Sequence, residues 1–251
     1  MNRGYQHDYA SGRPQMYDAS ERYRKAATMV AVLSRCLGGR LRDAQVLNVG
    51  CSAGLIDEAL SSSVGAVTGI DIDAAAISSA IARGLPSNVQ LLVGDAMALP
   101  FENASFDVVI CSQVYEHVPD VQRLMAEVHR VLRPGGVCYF AATNRWAVVE
   151  MHHGLPFLSW LPPALADRYM RLAGKGDRYY ERHFGFAELR ALVSAFEVRD
   201  FTGMILDDPA AFQADYLFRG KLKLWVARFF FRFARPMFPG YIWVLERRGA
   251  G

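Results

Sequence analysis

No two of the four cysteines (Cys36, Cys51, Cys111, Cys138) stand in a CxxC pair, which removes the common zinc and dithiol signatures. Their wide spacing, mostly within apolar runs, points to reduced, buried thiols rather than a disulfide framework. No uncharged run reaches the roughly 18 to 20 apolar residues that a membrane-spanning helix requires. The opening segment, MNRGYQHDYASGRPQMYD, is polar and lacks the apolar stretch of a secretory signal. Internal repeats and low-complexity tracts are missing too, so solenoid and fibrous architectures fall away. Charge of one sign is scarce. A formal net charge of +3 over 251 residues does not argue for a nucleic-acid partner, and none is expected. These absences lead us to expect a cytoplasmic protein, associated with membranes only peripherally if at all.

What is present is ordinary globular material, 52% hydrophobic and 21% charged, in a length suited to one sizeable domain over 1–251. Short apolar runs alternate with longer amphipathic ones. AQVLNVG (44–50), AVTGIDI (66–72), NVQLLVGD (88–95), FDVVICSQ (106–113) and VCYFAATN (137–144) read as strands. Helices are expected over 19–39, 54–62, 74–84, 121–132 and 184–196. EVRDFTGMIL (197–206) and YIWVLER (241–247) read as the last two strands. Strand and helix alternating in this way predict a doubly wound, Rossmann-like α/β sheet of seven strands. The expected division is an N-terminal helical segment (1–43), a core (44–144), a mostly helical cap insertion (145–182) and a C-terminal part (183–251) with a second insertion at 208–236.

In such a sheet the ligand lies outside the carboxyl ends of the strands, and the turn after the first strand is the usual cradle. GCSAG stands there, with Gly50 free in backbone angle and small residues keeping the surface low. The dinucleotide fingerprint GxGxxG fails, since the glycines are only at 50 and 54, and this disfavours a nicotinamide oxidoreductase. Asp71 ends the second strand, where a carboxylate accepts from a ribose diol. Asp95 ends the third, placed to accept from an adenine amino group.

With VLNVGCSAG, GIDID, GDAMALPFENASFDVVICSQVYEHV and RVLRPGG in order, residues 46–143 resemble the core of a class I S-adenosylmethionine-dependent methyltransferase, of the subgroup that methylates small molecules and lipids. The resemblance implies a mostly parallel sheet with an antiparallel last strand, S-adenosylmethionine as cofactor and S-adenosylhomocysteine as product. It implies a cofactor site drawn from Asn48, Gly50, Cys51, Ser52 and Gly54, with Asp71 on the ribose, Ile72 on an adenine face and Asp95 with Ala96 at the adenine amino group. Ser112 and Gln113 would approach the sulfonium and the substrate, and Tyr5, Tyr9 or Arg22 would close over the cofactor. The chain departs from the family where Asn48 replaces the usual acidic residue and Ser52 the commoner glycine.

Methyl transfer to oxygen or carbon needs a proton acceptor, and the candidates are His117 in YEHV and the pair His152 and His153 in EMHHG. A metal set would need a third ligand such as Glu150, Asp177 or His183, and no spacing along the chain supports one, so no metal is expected. His7, His129 and His183 read as surface or helix residues. The expected reaction is methyl transfer to a small or lipid-like acceptor, at oxygen before nitrogen or carbon. Cyclopropanation of a lipid chain and a non-catalytic protein retaining the fold are the alternatives. Residues 218–238 are a basic aromatic segment: on a helix, Lys221, Arg228, Arg232 and Arg235 would fall near one face, and Leu222, Trp225, Phe229 and Phe233 on another. Either the apolar face packs on the sheet, or it lies in a bilayer interface.

Overall fold

The computed structural model describes residues 7, 10, 13–218 and 220–248. Seven strands, β1 Gln45–Val49, β2 Ala66–Asp71, β3 Val89–Val93, β4 Phe106–Ser112, β5 Leu132–Thr143, β6 Glu197–Asp200 and β7 Gly240–Glu246, form one sheet in the order β3-β2-β1-β4-β5-β7-β6. The first five pair in parallel, and β7 runs antiparallel to both β5 and β6. The chain steps outward from β1 to β3 and then returns to the other side of β1 as β4. The strand order therefore reverses between β1 and β4, and a crevice opens at their carboxyl ends.

Successive strand residues serve opposite faces, and both faces are covered. Val46, Val67, Val108 and Ile110 join one apolar cluster with helix α1 (Ala19–Leu37), α2 (Leu55–Leu60) and α3 (Ala74–Arg83). Leu47, Val49, Val109 and Cys111 join the other with α4 (Val121–Val131) and α6 (Phe186–Leu192). Two-sided burial explains why these strands read as continuous apolar runs instead of alternating ones. Side chains set the helix starts: Asp18, Asp73 and Asp120 each accept from a backbone N–H in the first turn of α1, α3 and α4. The cysteines are all free, and Cys51, Cys111 and Cys138 are buried.

Three segments depart from the expectations. The strand expected over 197–206 stops at Asp200, and α7 (Thr202–Asp207) takes its place. Asp200 Oδ1 accepts from the Thr202 N–H at 2.8 Å, and Thr202 Oγ1 accepts from the Ile242 N–H at 3.0 Å. Side chains thus occupy the next ladder position, and the apolar run goes on as a helix burying Ile205 and Leu206. RPGG, expected to separate α4 from the fifth strand, lies inside β5 as an irregularity against β4. The first insertion is less helical than expected. It holds α5 (Pro163–Leu172), one 3-10 turn (Leu158–Trp160) and an isolated bridge from Val149 to Pro156. Around 150 the Glu150 carboxylate accepts from the N–H groups of His152 and His153, which gives that backbone partners other than a helix.

Helix α8 (Lys221–Ala234) lies in the second insertion, and none of its residues is buried. It is held by Arg228, whose guanidinium donates to the carbonyls of Leu206 and Asp207 at 2.7 Å each. Its apolar stripe faces outward instead of packing on the sheet, with Leu222 74% and Phe233 70% exposed. No described helix is long and apolar enough to cross a membrane.

Candidate active site

The loop after β1 is shaped by backbone requirements. Gly50 has φ +75°, and a Cβ there would stand 2.6 Å from Val114 Cγ2, so glycine is required twice over. The Gly50 and Cys51 N–H groups donate to the Ile70 carbonyl, which locks the loop to the end of β2. Ser52 adopts φ +50°. Its N–H donates to Asp71 Oδ2 at 2.7 Å, and Asp71 Oδ1 accepts from the Asp73 N–H at 2.9 Å. Burial pushes the Asp71 carboxyl above its ordinary value against these donors. Behind the loop Asn48 donates through Nδ2 to Asp57 Oδ2 at 2.9 Å, leaving its carbonyl oxygen as the other polar atom of the amide. Burial pushes the Asp57 carboxyl up to about 7.

A cavity of about 510 Å³ opens over this loop, within the usual range for small-molecule sites. Asn48, Gly50, Cys51, Ser52, Asp71 and Ile72 line it, as do Asp95, Ala96, Ser112 and Gln113. Gly54 does not; it turns the chain into α2 with φ +70°. Arg22 is on the wall, whereas Tyr5 and Tyr9 lie outside the described residues.

Beyond β4 the wall changes character. Gln113 has φ +58°, and its Oε1 accepts from Thr143 Oγ1 at 2.7 Å. The Tyr115 hydroxyl donates to the Thr143 carbonyl at 2.5 Å and accepts from the Phe184 N–H at 3.1 Å, tying β5 to the segment before α6. Next to it, segments distant in sequence bring together Glu116, His117, Glu150, His152, His153, Glu181 and His183. His152 Nδ1 lies 2.6 Å from Glu150 Oε1, and His183 Nε2 lies 3.3 Å from the same oxygen. Burial favours the protonated Glu150 carboxyl, but these two imidazoles outweigh it and hold the group well below the usual carboxylate range. Burial, reinforced by His152, pushes His117 down to about 3, and burial pushes Glu116 up to about 7.

His117 and His152 reach the cavity wall. His153 does not line it; its Nε2 sits 3.1 Å from Glu181 Oε2 and its ring meets the edge of Tyr179. His183, expected at a surface or helix position, is buried at 4% exposure, because its ring packs between Tyr115 and His152 on Glu150. The sequence reading missed Glu116 and Glu181, and named Glu150 only as a possible third ligand of a metal set. The available signal was their position beside histidines, in YEHV, EMHH and ERH. It also missed Thr143 and the aromatic wall of Tyr216, Phe218 and Tyr241.

Residues 47–140 match the family model described as a methyltransferase domain. The chain is 31% identical over 174 residues to the ubiquinone biosynthesis O-methyltransferase of Xanthomonas oryzae pv. oryzae, covering 66% of this chain and 68% of that protein. It belongs to the class I S-adenosylmethionine-dependent methyltransferases. A similar relation holds to the ubiquinone biosynthesis O-methyltransferase of Idiomarina loihiensis, 30% identical over 168 residues and 62% of each chain. Among solved structures, an S-adenosylmethionine-dependent methyltransferase from Methanosarcina mazei superposes with a TM-score of 0.56 at 21% identity, covering 87% of this chain and 98% of that one. A Pyrococcus horikoshii protein superposes with a TM-score of 0.60 at 19% identity, over 98% and 100%. These two likenesses speak to the fold. The methyltransferase takes S-adenosylmethionine as its methyl donor, and the site suits that group: Ser52 Oγ is buried in the loop without a hydrogen-bond partner, beside a carboxylate, Asp71, on the cavity wall.

Proposed function

We propose that this methyltransferase methylates a hydroxyl oxygen of a small or lipid-like acceptor bound beside Ser112, Gln113, His117 and His152. The observation that carries this reading is the Glu150–His152 pair at 2.6 Å, with His152 on the cavity wall. A carboxylate behind an imidazole orients the ring and stabilises it as it takes up a proton. His152 is then the proton acceptor, His117 stays neutral and hydrogen-bonds the acceptor, and His153 acts one step away by holding Glu181. S-adenosylmethionine supplies, when bound, a methyl group activated by its sulfonium. Gly50, Cys51 and Ser52 line its methionine portion, and Asn48 offers a carbonyl oxygen to the ammonium. Asp71 accepts from the ribose hydroxyls, Ile72 covers an adenine face, and Asp95 with Ala96 receives the adenine amino group. Gly54 serves from behind by allowing the turn. The names of the two relatives above, both ubiquinone biosynthesis O-methyltransferases, support oxygen as the acceptor atom. Labelled-methyl transfer to matched alcohols, phenols and amines tests the reading. O-methyl products are expected, and products on nitrogen alone would overturn it.

The lipid-like character of the acceptor draws on helix α8. Trp225, Phe229 and Phe233 form an exposed ladder with ring centroids 5.9 and 4.6 Å apart, flanked by Lys221, Lys223 and Arg232. An apolar stripe with basic borders complements an anionic bilayer surface. Phe218 and Phe238, at the two ends of this segment, line the cavity, so a protein lying on α8 presents its site to the lipid. Flotation with vesicles rich in anionic phospholipid should retain the wild type and release a Trp225→Ser/Phe229→Ser/Phe233→Ser variant. Equal recovery of the two would remove the membrane contact.

A further inference from the structure

The three buried carboxylates of the acceptor end are unequally provided for. Glu150 receives four donors: the N–H groups of His152 and His153 on Oε2 and the imidazoles of His152 and His183 on Oε1. Glu181 has His153 Nε2 at 3.1 Å and the Arg13 guanidinium at 3.6 Å. Glu116 is 1% exposed, and neither of its carboxylate oxygens has a hydrogen-bond partner. A buried carboxylate without a donor is costly unless a cation or a metal answers it.

We propose that Glu116, His117 and His152 form a three-ligand site for one divalent first-row transition-metal cation, open toward the methyl-acceptor end of the cavity. One donor atom from each of the three lies within 4.8 Å of the others. His152 Nε2 stands 3.8 Å from Glu116 Oε1, close to the roughly 3.0 to 3.6 Å between ligands that share a cation at about 2.0–2.2 Å. The second cluster of this kind, Glu150, His152 and His183, is the weaker candidate. Its His152–Glu150 separation of 2.6 Å is a hydrogen bond, too short for two atoms on one metal, and the oxygens of Glu150 are already engaged. Glu150 instead fixes the His152 ring through Nδ1, so that Nε2 turns to Glu116; this carboxylate–imidazole–metal relay is what a metal-bound histidine ordinarily requires. Two imidazoles and one carboxylate suit zinc, manganese or ferrous iron better than magnesium or calcium. His117 and His152 are both on the cavity wall, so the remaining coordination positions face the acceptor. Chain spacing pointed to no metal because the ligands come from two loops, one after β4 and one after β5.

The role of the cation rests on the O-methylation reading above. An acceptor hydroxyl ligated to it loses its proton more readily, and His152 is then a ligand instead of the proton acceptor it would be in the cation-free protein. The test uses full-length protein without an affinity tag, freed of metal by a chelator. It is titrated calorimetrically with Mn²⁺ or Zn²⁺ alone and, separately, with S-adenosylmethionine. One equivalent of cation should bind the wild type and raise its melting temperature. Glu116→Gln and His152→Ala should each weaken cation binding at least tenfold. Glu116→Gln should also melt no lower than the cation-free wild type, since it removes an unanswered buried charge, and should lose the cation-induced rise. Absence of saturable binding to the wild type, or unchanged affinity in both variants, overturns the site. Donor binding without cation binding removes the metal and leaves the proposed reaction standing. Cation binding without donor binding does the reverse.

Discussion

The two ends of the cavity are built by different means. At the donor end the contacts that shape the loop and hold Asp71 are local to strand ends: Ser52 and Asp73 present backbone N–H groups to Asp71, and Gly50 and Cys51 donate to Ile70. At the acceptor end side chains from separated stretches converge, with Glu116 and His117 after β4, Glu150 to His153 in the first insertion, and Glu181 with His183 ahead of α6. The first kind of site is held by the sheet and tolerates change elsewhere. The second exists only when the insertions are folded onto the sheet. Donor binding and acceptor chemistry should therefore be separable by mutation.

The largest expected effect is Asp71→Ala, which removes the carboxylate assigned to the ribose and the acceptor for two backbone donors. Charge-assisted hydrogen bonds contribute about 1.5–3 kcal/mol each, so donor affinity measured by calorimetry should fall about a hundredfold or more. A wild-type dissociation constant in that variant would dissolve the distinction between the two ends. Next is Glu150→Gln, at the other end. Loss of an orienting carboxylate behind a functional histidine lowers activity roughly 10- to 100-fold, and turnover should fall by that much while the donor dissociation constant stays put. A matching loss of donor affinity would show the two ends to be one coupled unit.

The same contrast explains what could be read from the chain. The sheet and the donor loop were legible because strands buried on both faces are continuous apolar runs, and because Gly50, Asp71 and Asp95 fall at successive strand ends. The acceptor end was half legible. His117 and His152 were singled out and reach the cavity; Glu150 was named only as a possible metal ligand, and Glu116 and Glu181 beside them were not named. A carboxylate in a loop carries no mark of burial until the insertion covering it is placed. The helix Thr202–Asp207 was missed for a related reason. FTGMIL is apolar enough for a strand, and only the side chains of Asp200 and Thr202, occupying ladder positions, turn it into a helix.

Asn48 stands where the family resemblance implies an acid, and its hydrogen-bond partner gives a physical reason for an amide there. Asp57, 0% exposed, already places a carboxylate against the loop, and the Asn48 amide donates to it. A second acid at 48 would set two buried carboxylates side by side, and one would have to keep its proton. Asp57 itself, raised to about 7 by burial, holds its proton in the native state across an interval in which the unfolded chain, with a carboxyl near 3.9, has released it. The folded protein binds more protons there, so the contribution of this residue to stability is full below about pH 4 and declines as pH rises toward 7. That decline should be on the order of 2 kcal/mol. Asp57→Asn keeps the hydrogen bond with Asn48 and cannot ionise. Urea unfolding between pH 5 and 8 should show the variant losing less stability with rising pH than the wild type. Parallel pH profiles would mean that Asp57 ionises without penalty, and that the donor loop is less dry than its burial indicates.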